Sequence, residues 1–291
     1  MFHQAIGLSP SDFRNREAGG PVPYVPASEE HRQRMVFLYP EEPSHHVGTT
    51  LHDALERYRR FGPLDLMTLT LHYGGRKEIA PQLLADLGNG MFGGIVFPQN
   101  GTGEWARRLC ARHPGLPAVR FMFTPEDAPP PQPLGASVCF CLGEFLNRAL
   151  DWIKAEGKQR VALIHAGIDG ETRESWPERT AAYGLTTRTS WLLHLPTREP
   201  GIHETILGLL FEDEDQRPDA LLIYDDALLG PVTQALAQLD VRVPKDLAVV
   251  SLASFPLPKN VHTHIPVKLI GFRIADVVKS CADLIHAQQQ D

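Results

Sequence analysis

The polar side chains able to do chemistry in this chain stand in short clusters, most of them where an apolar run ends. "YPEEPSHH" (39–46) sets Tyr39, Glu41, Glu42, Ser44, His45 and His46 after the strand-length run "RMVFLYP" (34–40). Gln99 and Asn100 close "FGGIVFPQN" (92–100), and Asp225 and Asp226 stand at the end of "DALLIYD" (219–225). Arg173 carries five donors in a planar fork, suited to hydroxyl groups or a carboxylate and equally at home on a surface. Trp176, three residues on, offers either a flat face to a ligand or a large side chain to a core. Asp225 reads as a cleft group with Asp226 capping the next helix, or both as caps. Adjacent histidines make a poor metal site without a third ligand at fixed spacing, and His262 and His264 in "HTH" share that lack. No metal and no cofactor is expected. No GxSxG, P-loop, GxGxxG or HExxH pattern occurs, so an enzyme is not expected either.

Totals narrow the class further. The 291 residues are 43% hydrophobic and 22% charged, ordinary values for a globular protein and enough chain for two lobes. A formal net charge of −7 argues against bulk electrostatic binding of nucleic acid. No apolar run reaches the length of a membrane span, and "MFHQAIGLSPSDFRNRE" (1–17) has no basic segment leading into an apolar one, so a cytoplasmic protein with no membrane partner is expected. Cys110, Cys139, Cys141 and Cys281 form no CxxC pair and read as buried free thiols, Cys139 and Cys141 sharing a strand face.

The elements that must position these groups alternate. Strands are expected at 34–40, 64–73, 92–100, 116–123, 160–167, 189–195, 219–225 and 246–254. Helices are expected at 49–62, 77–90, 103–115, 143–157, 171–184, 201–211, 229–240 and 271–287. Thr50 and Asp53 suggest a cap for the first of these. Strand–helix alternation implies α/β architecture with parallel sheets covered on both faces, and the number of units implies two doubly wound lobes. Residues 18–33, rich in Pro and Gly, read as an extended, weakly ordered linker.

Several stretches resemble the effector-binding core of LacI/GalR-type regulators, a fold shared with type I periplasmic binding proteins. "FGGIVFPQN" resembles that family's third strand, and "LNRALDWIKAEGKQRVALIHAG" its helix-then-strand passage. "RPDALLIYDDALLGPVTQALAQLDVRVPKDLAVVSLASFPLP" (217–258) is the longest match, and "IPVKLIGFRIADVVKSCADLI" (265–285) resembles the return to the first lobe. The resemblance implies two doubly wound parallel-sheet lobes joined by a three-crossing hinge, with crossings near 157–160, 264–267 and 288. Lobe one would then be 34–157 plus 267–291, and lobe two 158–266. It implies a small-molecule effector, sugar-like or a related metabolite, held in the cleft by Tyr39, Glu42, His45, Gln99, Asn100, Arg173, Trp176, Asp225 and Ser254. It also implies a homodimer. Two departures count against a hexose: Ala253 and Ser254 stand where sugar-binding members carry carboxylates, and "SVCFCLG" stands where they carry Val-Asp-Asn.

Residues 1–17 resemble the end of an AraC-type DNA-binding domain, with Phe2, Gly7, Ser9, Pro10, Phe13 and Arg14 in the matching places. The expectation is therefore a ligand-sensing domain of a bacterial transcription regulator, reaching DNA only through a domain absent from this chain. The alternative is the solute-binding protein of a transport system.

Overall fold

The computed structural model describes residues 23–40, 55–56, 60, 65–71, 81–98, 103–124, 136–167, 170–196, 200–213, 216–257 and 261–290. Among these, ten strands form two five-stranded parallel sheets. Sheet one contains β1 (Arg34–Pro40), β2 (Asp65–Leu71), β3 (Gly94–Pro98), β4 (Ala118–Thr124) and β5 (Ala136–Cys141), in the order β2-β1-β3-β4-β5. Sheet two contains β6 (Val161–His165), β7 (Leu192–His194), β8 (Ala220–Ile223), β9 (Ala248–Phe255) and β10 (Lys268–Arg273), in the order β10-β9-β8-β6-β7. In both sheets a strand from the start of the unit lies inside, so the chain winds outward to either side.

Alternation along each strand divides its side chains between two helical layers. Met35 and Phe37 of β1 face α8 (Ile274–Gln288), while Val36 and Leu38 face α2 (Pro81–Gly88) and α3 (Gly103–Arg112). In sheet two, Val161 and Leu163 of β6 pack with α4 (Leu142–Ala155) and α5 (Gly170–Ala182). Ala162 and Ile164 pack with α6 (Pro200–Phe211) and α7 (Leu229–Gln238). The inner strands are apolar at most positions because both of their faces are covered.

The two units exchange helices. β5 ends in sheet one at Cys141, and α4 begins at once but buries Phe145, Leu146, Ala149, Leu150 and Ile153 against sheet two. β10 ends in sheet two at Arg273, and α8 begins at once but buries Ile274, Val277, Val278, Cys281 and Ile285 against sheet one. Phe140 and Phe272 lie at these crossings with ring centroids 4.6 Å apart, each packed on the core of the unit that its strand does not belong to. Both exits are at the carboxyl ends of parallel strands, so the carboxyl-terminal edges of the two sheets meet at the crossing.

The crossings therefore fall at 141–142 and 273–274, not near 157–160 and 264–267. Two strands account for the shift. "ASVCFC" is the edge strand β5, and "KLIGFR" (268–273) is β10, so the last helix starts at Ile274 and not at Gly271. Near 288 the chain stays on sheet one: Gln288 accepts from the Ala118 N–H at 2.9 Å and donates to the Ala118 carbonyl at 3.1 Å. Gln289 Nε2 donates to the Arg32 and Gly93 carbonyls. Edge position also leaves Cys139 and Cys141 exposed, contrary to the expected burial, whereas Cys281 is buried and its thiol is pushed up to about 12 by desolvation.

The described part of the expected linker is docked. Tyr24 is buried in the sheet-one core, its hydroxyl donates to the Phe92 carbonyl, and burial pushes that hydroxyl up to about 12. Its N–H donates to Pro114 O at 2.7 Å, and the Ala27 N–H donates to Gly90 O at 2.8 Å. The short helix α1 (Glu29–Arg32) follows, capped by the Ser28 hydroxyl. One tyrosine with a buried anchor outweighs the extended bias of the prolines around it. Residues 1–17, the Thr50–Asp53 cap and the loop 41–50 lie outside the described residues.

Gly271 tests the close approach of the crossing strands. A Cβ there would lie 1.7 Å from the Ala253 carbonyl oxygen of β9, an approach that backbone must move to relieve. Gly271→Ala is expected to cost about 1–3 kcal/mol of stability, measured by urea unfolding.

Candidate functional site

Parallel sheets present ligands with the loops and helix N-termini at their carboxyl edges. Along that edge of sheet two the register brings three ring-bearing side chains into one row. His194 of β7 is paired with His165 of β6, and Tyr224 follows the Ile164–Ile223 pair. The two imidazoles stack with centroids 5.3 Å apart and an interplanar angle of 15°. All three lie on the face that α4 and α5 cover, by the alternation that sends Leu163 and Leu222 there. Phe145 of α4 packs on Tyr224 at 6.2 Å between centroids.

His165 is 2% exposed, and neither of its ring nitrogens has a hydrogen-bond partner among the described residues. His194 is exposed, and its Nε2 lies 2.7 Å from the Ala166 carbonyl. A carbonyl only accepts, so that nitrogen carries the proton. Desolvation first, then His194 and Arg173, push His165 down to about 4, so it is neutral near pH 7. Arg173, on the first turn of α5, is exposed and makes no hydrogen bond or ion pair among the described residues. Sequence reasoning did not select His165 or His194. The signal was present: a strand-final His in "VALIH" and another in "LLH" are polar residues ending apolar runs.

Both aspartates accept from backbone N–H groups. Asp225 Oδ1 accepts from the Ala227 N–H at 3.3 Å and starts the 3-10 turn Asp226–Leu228. Asp226 Oδ2 accepts from the Ser254 N–H at 3.1 Å and ties the ends of β8 and β9 together. Asp225, Asp226 and Ser254 are all buried, and the cap falls to Asp225, not to Asp226 as expected. Asp225, Asp226 and Ser254 thus stand together at this edge, and Arg173 joins the histidine pair. Trp176 does not join them. It is 1% exposed in the sheet-two core, and its indole N–H donates to Thr187 Oγ1 at 3.2 Å, so the ring packs against protein and is no ligand platform.

On the sheet-one side, Tyr39 is placed only by its backbone, paired with Thr70 at the end of β1. Glu42, His45, Gln99 and Asn100 lie outside the described residues. His262 and His264 are exposed and line an open groove with Gly201, Glu204, Gly230 and Pro231, on the α6–α7 face of sheet two. Among the described residues, no three of His, Cys, Asp and Glu stand together as a metal site, and no helix is long and apolar enough to cross a membrane.

Comparison with known proteins agrees with this architecture. A family model described as a periplasmic binding protein-like domain matches residues 150–286. A LacI family transcriptional regulator from Lactobacillus casei with bound sucrose superposes with a TM-score of 0.63 at 17% identity, over 88% of this chain and 92% of that one. A regulatory protein of the LacI family from Chloroflexus aggregans gives 0.64 at 16% identity, over 89% and 91%. A LacI family transcriptional regulator from Arthrobacter sp. FB24, in complex with lactose, gives 0.62 at 13% identity, over 89% and 90%. No curated protein sequence matches. The chain has the two-sheet α/β fold of these proteins.

Two measurements test these placements. His165 has its folded-state basicity lowered from 6.5 to about 4, so the unfolded chain binds its proton first. Stability is therefore complete above about pH 6.5 and falls as pH drops toward 4, by roughly 3 kcal/mol at most, and His165→Gln should flatten that slope in urea unfolding. Trp176→Ala should cost about 3–5 kcal/mol, as loss of a core side chain does.

Proposed function

We propose that this chain is the ligand-sensing domain of a transcriptional regulator, binding a small molecule in the cleft between its two sheet units. The exchange of α4 and α8 carries this reading, because it turns the two carboxyl-terminal edges toward each other and leaves two short crossings as the hinge. Hinged lobes around a polar edge close on a ligand when the closed state binds it better than the open one. The LacI-family regulators of the same fold, crystallised with sucrose or lactose, support a small polar effector. Asp225 and Arg173, with Tyr39, Glu42, His45, Gln99 and Asn100 opposite, are the proposed lining, and Ser254 is held at the same edge.

Closure would be passed to a DNA-reading domain in a homodimer. The two sheet units themselves have the wrong charge for that task, at −7 for the chain. No step in this scheme makes or breaks a covalent bond in the ligand.

The family model, described for periplasmic binding proteins, supports a second reading as a transporter's solute-binding protein. Small-angle scattering of the full chain against a panel of sugars, sugar acids and sugar phosphates tests the main reading. At least one compound is expected to shrink the radius of gyration and protect β5 and β10 from hydrogen exchange. A panel without any closing compound would count against ligand sensing, and a monomer whose closed form alters no promoter binding would favour the transport reading.

A further inference from the structure

The carboxyl edge of sheet two is unusual in its charge. Beside His165 on the α4–α5 face the described groups are His194, Arg173 and Tyr224, with no described carboxylate paired to His165, His194 or Arg173. The nearby carboxylates are engaged elsewhere. Asp225 continues the strand onto the α6–α7 face and caps Ala227, and Asp226 holds the Ser254 N–H. Residues 253 and 254, where a sugar site would hold carboxylates for hydroxyl pairs, are Ala and Ser.

A neutral imidazole with both nitrogens unpartnered at 2% exposure is costly in a finished core. Arg173, on the first turn of α5, stands close enough to that ring to lower its basicity, and Thr172 beside Arg173 is buried. Backbone N–H groups at a helix start favour an anion, and Arg173 can hold two of its oxygens in a fork.

We propose that His165, His194 and Arg173 form an oxyanion subsite, so that the effector carries a carboxylate or phosphate group and is not a neutral sugar. This rests on the effector-binding reading above and names the ligand class for the same cleft. An anion there would supply the partner that His165 lacks. It would also oppose the burial that, with His194 and Arg173 beside the ring, holds His165 in its neutral form. Binding would then draw a proton onto His165, and affinity would rise as pH falls toward 5.5. The described titratable groups facing that ring are His194 from β7 and Arg173 from α5, and Tyr224 of β8 flanks it on the other side.

Sulfate keeps its charge across this pH range and serves as the tetrahedral probe, acetate as the carboxylate probe, and glucose and sucrose as neutral controls. Calorimetry on the full chain is expected to show binding of one anion, at least tenfold weaker in Arg173→Gln and in His165→Gln, and unchanged in Lys154→Gln on the exposed face of α4. The anion that binds separates the phosphate-like from the carboxylate ligand. Sulfate, if bound, should bind more tightly at pH 5.5 than at 7.5. Should His165→Gln fail to fold, nitrogen NMR of His165 replaces it, its titration midpoint being expected to rise when the anion saturates. Failure of both anions to bind, or binding that survives Arg173→Gln with an unmoved His165 midpoint, overturns the subsite. Lobe closure by a neutral sugar without anion binding sinks this inference and leaves the sensing function standing. Anion binding with no closing metabolite leaves the subsite standing and sinks the sensing function.

Discussion

Reciprocal packing at the two crossings holds this architecture together. Phe140 leaves sheet one and packs on the core of sheet two; Phe272 leaves sheet two and packs on the core of sheet one; the rings meet between them. Neither unit can complete its apolar burial without a helix that the other unit's edge strand delivers. Because α4 and α8 supply much of each core, separating the units would expose two large apolar faces at once. Two covalent crossings connect the units, with the Phe140–Phe272 contact between them among the described residues. One device thus completes both cores.

The same device decides where chemistry can happen. Parallel strands of one sheet end on the same edge, and the crossings leave from those ends, so the described starts of α4 and α8 lie on one seam. On the sheet-two side His165, Asp225, Asp226 and Ser254 are buried, and a buried polar group needs a partner. Asp225 and Asp226 meet this condition by bonding backbone N–H groups, the ordinary fate of a carboxylate at a strand-to-helix turn. His165 does not meet it. Its burial, its stacked neighbour and its nearby arginine all favour the uncharged ring. A group so placed makes the edge sensitive to whatever charge enters.

The tether at the other end of sheet one follows a different logic. Tyr24, Gln288 and Gln289 fix the chain's early segment and its last helix to the strand starts, far from the seam.

Residue order alone determined the alternation of strands and helices, the parallel sheets and the two-unit plan, since period-2 and period-3.6 apolar patterns are local properties. The Asp225–Asp226 turn was equally legible, and so was a strand over 160–167, although that strand ends at His165. Only tertiary structure decided where one unit ends and the next begins. "ASVCFC" and "KLIGFR" are short and only partly apolar, and each is a strand because a neighbouring strand pairs with it. Their assignment moved both crossings by more than five residues and left Cys139 and Cys141 in solvent. Tertiary structure also turned Trp176 inward and set two distant histidines ring to ring. Whether a side chain faces a cleft or a core depends on what packs above it, and nothing within three or four residues of sequence encodes that.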